Sequence, residues 1–526
     1  MPAENPFFML EKTQLLLKVG FALVVVILLL RSRYGRSASS AREGRGLRRP
    51  LCWSAGALGA LLWLAEPVLG LSSWQHLWDT YHYYVGAKYF AELGYDGLYD
   101  AAILADAENG HAAEVRELVV RDLRSNELKT AEAAIVDAAH LRERFSEERW
   151  RGFLRDIAYF RGRFERQPGQ LWGRVHQDHG FNATPTWCLA GGFLARTGGA
   201  SDARLALLCG IDFVLLAIAG YLIGRTFGGE VLLVAAAYWG TNQFNPYPWT
   251  SASLLRYDWL LMAVAGICLL KRQQHLAGGA ALAVASLLRL FPVLLLVAVA
   301  VREALRMWAV RSLRPSRDFV RFSFGALLLI ALLLPLSTWA SGRGSRVWRE
   351  FQENCRLHLQ TPSMNTVGLV SLLSTQGRDV WKELPATVEG RERERLWTRA
   401  RETNYASWRW LHWAAGALLT LLVLRATRDQ PPWAAAILGV GLIPVVADLS
   451  CYYYAILLLF AMLVAAGRAI AVMLCGLAAA TSLVVACVEY SEATYGLMSG
   501  GLLVFLALVL WVCRRSADAE AQSIVI

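Results

Sequence analysis

The segment from Trp78 to Asp100, WDTYHYYVGAKYFAELGYDGLYD, sets a carboxylate, Asp79, a few residues after an apolar run of membrane-crossing length. A carboxylate at the water–lipid boundary can take a proton from a hydroxyl, as group transfer from a lipid-borne substrate requires. Burial would raise its pKa and nearby cations would lower it, a balance the sequence leaves open. Asp is also a favoured N-cap, here for a helix predicted over residues 80–93 and ended by Gly94. Base and cap are compatible roles.

Arg289 in SLLRLFPV lies between two short apolar runs. An unpaired cation at mid-membrane costs about 2.5–3.5 kcal/mol, so the residue calls for a partner or a ligand, unless it snorkels to the headgroups. Its planar fork suits phosphate oxygens. Arg256 and Asp258 in LLRYDW read either as a structural ion pair or as a phosphate ligand with a supporting acid. Further candidates for substrate contact are His82 and Tyr83 beside Asp79, His358 and Asn365 around the TPSMN stretch, and Asp448 in VVADLSCYYYAI. N-capping explains Asp448 as well as catalysis does, and Tyr452, Tyr453 and Tyr454 suit an interfacial aromatic belt. His176, Asp178 and His179 in VHQDHGFN carry atoms that ligate borderline divalent cations, though at no established metal-site spacing. No other cofactor is called for.

The elements that must position these residues are membrane helices. Of 526 residues 56% are hydrophobic, with 20 Trp and a mean hydropathy of +0.36, which excludes an ordinary soluble domain. The net charge of +11 resides largely in short connectors between apolar runs, where it sets orientation, and implies no nucleic-acid partner. Nine cysteines stand singly, without a CxxC pair, and read as small core residues. The first apolar run lacks a small-residue cleavage site and reads as a retained helix. At about 20 residues per crossing, long runs near 14–30, 51–71, 205–224, 322–338, 408–425, 449–467, 469–488 and 497–513 and shorter ones near 231–245, 255–270, 276–288, 291–302 and 432–447 predict about thirteen crossings. The pair around Arg289 reads as a short hairpin.

Two arginine-rich connectors, 31–49 and 302–321, are expected in the cytoplasm. The organisation that follows is a first helix and basic connector (1–50), a core helix (51–71), a large extracytoplasmic loop (72–204), a helical core (205–338), a second extracytoplasmic loop (339–407), carboxy-terminal helices (408–513) and a cytoplasmic tail (514–526). Within the first loop, residues 111–166 read as charged amphipathic helices, with Val115, Leu118, Val119 and Leu123 at helical spacing and Leu141 and Phe145 likewise. TPTWCLAGGFLAR (184–196) reads as an interfacial or re-entrant helix.

DTYHYYVGAKYFAELGYDGLY resembles the first outer loop of GT-C superfamily glycosyltransferases. In the same order, NATPTWCLAGGFLA resembles the proline-containing end of that loop, and ARLALLCGIDFVLLAIAGYLIGRTFGG the next helix and its Gly-Arg turn. The pair TSASLLRYDWLLMAVAGICLLKR and LAGGAALAVASLLRLFPVLLLV is similar to helices whose junction carries a basic residue before a proline. HLQTPSMNTVGLVSLLS resembles a loop element of the polyprenyl-phosphate-mannose-dependent branch. The resemblance covers about residues 51–470 and rests on order and topology. It implies an all-α polytopic fold with two large extracytoplasmic loops containing juxtamembrane helices, and a multi-pass protein of the cell membrane. It also implies a polyprenyl-phosphate-sugar donor, a glycan, lipid or protein acceptor, Asp79 as base, and Arg289 with Arg256 at the phosphate. Thr80 departs from the protein O-mannosyltransferase branch, which has a second acid there. The Ala- and Arg-rich composition suggests a bacterial inner membrane. Rival expectations are a lipid-linked glycan polymerase or ligase and, from another class, a transporter or lipid flippase, which typically shows internal repeats; none of fixed period is visible.

Overall fold

A computed structural model describes residues 6–34, 43–68, 73–167, 169, 171–465, 467–488 and 490–524. The chain is mostly helical and membrane-embedded. Among the described residues six helices are long and apolar enough to cross a bilayer: Lys12–Leu30, Asp202–Phe227, Arg317–Ala340, Gly390–Thr427, Arg468–Cys487 and Glu492–Arg514. Shorter apolar helices include Ala57–Val68, His275–Leu288, Pro432–Val446 and Cys451–Val464. The last of these is wound as a 3₁₀ helix over Cys451–Ala465. Around Arg289 the chain leaves one helix at Leu288 and starts the next at Val293, as the hairpin reading expects.

Small residues let these helices touch backbone to backbone. A Cβ on Gly279 would lie 2.0 Å from the Phe322 carbonyl oxygen, and one on Gly325 would lie 2.0 Å from that of Leu276. Helices His275–Leu288 and Arg317–Ala340 are therefore in mutual contact through paired glycines. Gly59 and Gly240 do the same for helices Glu43–Val68 and Gly229–Thr241.

The two polar segments pack against one another. The first differs from its sequence-based reading. Val119 and Leu123, expected on a helix, belong to an antiparallel hairpin of strands Val119–Asp122 and Glu127–Thr130 and its turn. A β-branched Val-Val pair followed by a Ser-Asn turn favours this form, with Asn126 in the left-handed region at φ 63°. Val115 ends the preceding short helix, Leu141 lies on the helix Ala131–Arg142, and Phe145 falls in the turn beyond it. Residues 184–196 do include a short helix, Trp187–Arg196.

The hairpin docks the first segment on the second. Arg121 forks onto Glu394 at 2.8 and 3.3 Å, Arg391 donates to the Leu128 carbonyl at 2.6 Å, and Asn126 Nδ2 donates to Thr361 Oγ1 at 2.6 Å. The charged insert 101–175 thus braces the second polar segment. On its other side, helix Glu147–Glu165 is pinned to helix Leu77–Lys88 by the buried Lys88–Asp156 pair at 2.6 Å, with Tyr89 Oη and the Ala200 amide both donating to Asp156 at 2.8 Å. A buried carboxylate with this many donors has its charge satisfied.

Candidate functional site

The helix carrying Asp79 starts earlier than predicted, at Leu77, and breaks at Tyr89 before the short helix Phe90–Leu93. Gly94 ends that second piece at φ 63°, as expected. The N-cap is His76, whose Nδ1 accepts from the Asp79 amide at 3.2 Å. Asp79 is therefore no cap. It lies in the first turn, where the helix dipole favours an anion, and its carboxylate is free to serve other groups. The same His76 Nδ1 is 3.3 Å from Asp79 Oδ1.

Arg256 reaches Asp79 from a loop. The strand-like segment 74–76 pairs with Ala252: the His76 amide donates to the Ala252 carbonyl at 2.8 Å and the Ala252 amide to that of Trp74 at 3.1 Å. Beyond Ala252 the chain wraps around a buried acid, Asp212, on the membrane helix Asp202–Phe227. Its carboxylate accepts from the amides of Ser253, Arg256 and Tyr257 at 2.9, 2.8 and 3.3 Å. Leu255 is held at φ 51° within this wrap, an uncommon conformation for a residue with a Cβ. The outcome is that the Arg256 guanidinium bonds Asp79 Oδ2. Asp258, read as a partner for Arg256, turns instead to its own helix start, where Oδ1 accepts from the Trp259 amide at 2.6 Å.

Asp79 keeps about 24% side-chain exposure in this pair. Burial pushes its carboxyl pKa up, but Arg256 and then His76 outweigh burial and hold it below the ordinary carboxylate range. It is ionised at neutral pH and, while Arg256 stays on it, a weak base.

A layer of tyrosines connects this pair to Arg289. Tyr83, one turn beyond Asp79, has the Arg289 guanidinium 5.6 Å from its ring centre and receives a long hydrogen bond of 3.4 Å from it. Arg289 also lies 6.0 Å from the Tyr453 ring, Tyr453 meets Tyr452 at 4.8 Å, and Arg256 lies 5.6 Å from the Tyr452 ring. Such contacts hold cations without neutralising them. Tyr452 and Tyr453, read from sequence as an aromatic belt, are instead the floor between the two arginines, and Tyr454 is buried with its hydroxyl on the Val367 carbonyl at 3.0 Å. Among the described residues no carboxylate pairs with Arg289, and the Nε–H groups of both Arg256 and Arg289 are buried without an acceptor. Two cations that still have N–H donors to offer carry the chemistry to receive an anion.

The end of the first polar segment closes the cluster. Tyr83 Oη donates to Asn182 Oδ1 at 2.6 Å, Thr184 Oγ1 to the Leu287 carbonyl at 2.6 Å, and Trp187 Nε1 to the Leu255 carbonyl at 3.3 Å. The second segment approaches through a two-residue antiparallel pair, Thr366–Val367 with Leu449–Ser450. Asn365 belongs to this pairing: its carbonyl accepts from the Cys451 amide at 2.8 Å, and its side chain from Ser363. Asp448 is turned away from the arginines and faces the first turn of helix Leu369–Thr375, where the Val370 and Ser371 amides and the charge of Arg401 act on it.

The histidines form a separate polar run. His82 meets Tyr99 Oη at 2.7 Å and lies 3.9 Å from Asp178, which accepts from Trp78 Nε1 at 2.6 Å. His358 packs against His179, ring centres 5.7 Å apart. Burial is the main cause lowering His179 and His358 to about 4 and His176 to about 3, so all three are neutral near pH 7. His176 has both ring nitrogens engaged, with the Trp172 carbonyl at 2.8 Å and Tyr81 Oη at 3.1 Å, which removes it as a metal ligand. Among the described residues no group of three or more His, Cys, Asp or Glu has metal-site spacing.

Comparison with protein-family models, curated proteins and solved structures returns no match to this chain. The site's chemistry therefore has to be read from its own geometry. Three contributors escaped the sequence reading: His76, Asp212 and the Tyr452–Tyr453 pair. Asp212 was signalled, since an acid inside CGIDFVLLAIAG is costly in lipid unless it has a task.

Replacing Asp212 by Ala strips three amides of their acceptor, at about 1–3 kcal/mol for each buried group left unmatched. The expected result is a lower Tm in detergent, with Asp212→Asn recovering part of the loss through its remaining oxygen. An unchanged melt for Asp212→Ala would mean that the loop is held by other contacts.

Proposed function

We propose that this chain is an integral-membrane glycosyltransferase of the GT-C type, which transfers a sugar from a polyprenyl-phosphate donor to an acceptor hydroxyl. The observation that supports it most is that Asp79, Arg256 and Arg289, from three separate stretches of the chain, come together around Tyr83, Tyr452 and Tyr453. A base beside two cations with free N–H donors suits departure of a phosphate from a sugar. The finer topology belongs to the same proposal: about thirteen crossings, with both polar segments on the extracytoplasmic face of a bacterial inner membrane. A transporter reading expects matching halves with charged groups between them, whereas this cluster joins the first polar segment, through Asp79 and Tyr83, to arginines and tyrosines of the helical core, which favours the transferase.

In the reaction, the acceptor oxygen forms a bond to the anomeric carbon while the bond from that carbon to the phosphate oxygen breaks. The phosphate leaves with the electron pair, and the acceptor proton passes to Asp79. Arg256 couples the two ends. Its guanidinium is bonded to Asp79 and suppresses its basicity. A donor phosphate competes for the same guanidinium, and as it draws Arg256 away the proton affinity of Asp79 rises. The base is thus released when the donor is seated. Arg289, with which no carboxylate among the described residues forms an ion pair, serves as the standing phosphate ligand.

With a panel of labelled polyprenyl-phosphate sugars and the purified protein, Asp79→Asn should lower kcat by about 10²–10⁴-fold, the usual weight of a general base, with donor still bound. Arg289→Ala should raise the donor Kd by about tenfold or more, as loss of a charge-assisted hydrogen bond does. Full activity of Asp79→Asn, or unchanged donor affinity in Arg289→Ala, would defeat the assignment.

The Asp79–Arg256 pair also sets a pH limit. Activity that needs ionised Asp79 is present above its pKa and fades as pH falls through it. Arg256→Gln removes the largest lowering influence and leaves burial opposed chiefly by His76, so the acid limb of kcat/KM should move to higher pH. An acid limb that stays in place would separate Asp79 from the titration.

A further inference from the structure

Helix Val293–Ala309, which begins just beyond Arg289, has two unlike faces. Leu295, Ala298, Val299 and Glu303 are buried, and on that side the backbone runs so close to Gly439 that a Cβ there would lie 2.4 Å from the Leu294 carbonyl oxygen. On the opposite face Val293, Val297, Ala300, Ala304 and Trp308 recur at helical spacing and are exposed. The following helix, Arg317–Ala340, packs on His275–Leu288 through its glycine contact and leaves this stripe uncovered. Between the stripe and the start of Arg317–Ala340 lies a cleft of about 560 Å³, within the usual size range of ligand sites.

The cleft is open because Ala300 and Ala304 are small, and it is walled by Met307, Trp308, Leu313 and Phe319. All six are exposed or half-buried, so the surface is accessible. Hydrocarbon, thioether and aromatic walls match a chain and offer little to a hydrophilic ligand. One end is polar, with Arg311 and Ser312 among the lining residues. Arg311 ends the helix in the left-handed region at φ 50°, where glycine is the ordinary choice, and the Ser312 amide donates to the Met307 carbonyl at 3.0 Å. Arg306 donates to the Arg314 carbonyl at 3.1 Å, which keeps Arg314 beside the same helix end.

Glu303 also lines the cleft, but its buried carboxylate accepts from Arg306 at 2.7 Å and from the Ser316 amide at 2.6 Å, with Arg302 3.6 Å away, so two cations outweigh its charge. Asp318, the other acid nearby, lies 3.6 Å from His275. Arg311, Arg314, Arg317 and Arg321 are exposed, and among the described residues none of them forms an ion pair. Beside them Trp308 and Leu313 are 79% and 93% exposed. Unpaired cations next to bare apolar side chains suit the boundary between headgroups and acyl chains.

We propose that this cleft binds an anionic phospholipid, with one acyl chain along Ala300 and Ala304 and the headgroup phosphate on Arg311 and Arg314. The site stands apart from the Arg256–Arg289 cluster, because the 17-residue helix Val293–Ala309 sets about 25 Å between its two ends. It does not depend on the transferase reading.

Native mass spectrometry of the detergent-solubilised full chain, titrated with dioleoyl phosphatidylglycerol, dioleoyl phosphatidylcholine or inorganic phosphate, tests the proposal. Phosphatidylglycerol should bind at least about fivefold more tightly than phosphatidylcholine, and the double variant Arg311→Gln/Arg314→Gln should lose about tenfold or more of that affinity, at roughly fivefold for each surface arginine. Ala304→Trp, a change at an exposed position, fills the cleft and should weaken both lipids. Arg346→Gln/Arg356→Gln, on the exposed face of helix Arg346–Gln360, should leave binding as it was. Equal affinity for the two lipids, an unchanged affinity in Arg311→Gln/Arg314→Gln, or an equal loss in Arg346→Gln/Arg356→Gln would overturn the site. Lipid binding that survives Ala304→Trp, or binding of inorganic phosphate without phospholipid, would overturn it as well.

Discussion

A carboxylate buried inside a membrane helix must find donors, and Asp212 finds them in the backbone of residues 253–257. That demand bends the loop around it and forces Leu255 into the left-handed region. It leaves Arg256 one direction in which to extend, toward Asp79. The loop is in turn stitched to residues 74–76 and to the indole of Trp187, so one desolvated acid sets the relation between the first polar segment and the helical body. Removing an acceptor from the centre of such a network costs more than any single bond in it, because the amides have no water to turn to.

The charged groups at the site are managed by two different means. Asp79 and Arg256 neutralise each other, a pairing that a phosphate can compete for. Arg289 is cushioned by Tyr83 and Tyr453, whose ring faces stabilise a cation without consuming its charge. On the proposed transferase reading, the two arginines would give a donor phosphate one exchangeable and one fixed ligand, and would tie the state of the base to occupancy by the donor. The histidine run lies beyond this centre and is kept neutral by burial, so its contribution is to join the two polar segments through His179 and His358.

The insert between residues 101 and 175 has a mechanical role that its composition concealed. Its hairpin grips helix Gly390–Thr427 through Arg121 and Asn126 grips Thr361, while its long helix holds Lys88 through Asp156. The insert therefore links the second polar segment to helix Leu77–Lys88, which bears Asp79, His82 and Tyr83.

Hydropathy and charge were legible in the sequence: the apolar runs became helices, the glycine at 94 ended its helix, and Asp79, Arg256 and Arg289 stood out because charge is rare and expensive near lipid. Period alone misread residues 119–130, since four apolar residues at helical spacing also fit a hairpin once a Ser-Asn turn interrupts them. Partner choice was not legible either. Arg256 has an acid two residues away in Asp258 and bonds one 177 residues away, because Asp212 orients the loop and Asp258 is taken up by its own helix start. Residue types and their burial preferences are local properties that a sequence carries on its face. Which cation meets which carboxylate, and whether a tyrosine faces lipid or an arginine, depends on long-range packing that exists only once the chain has folded.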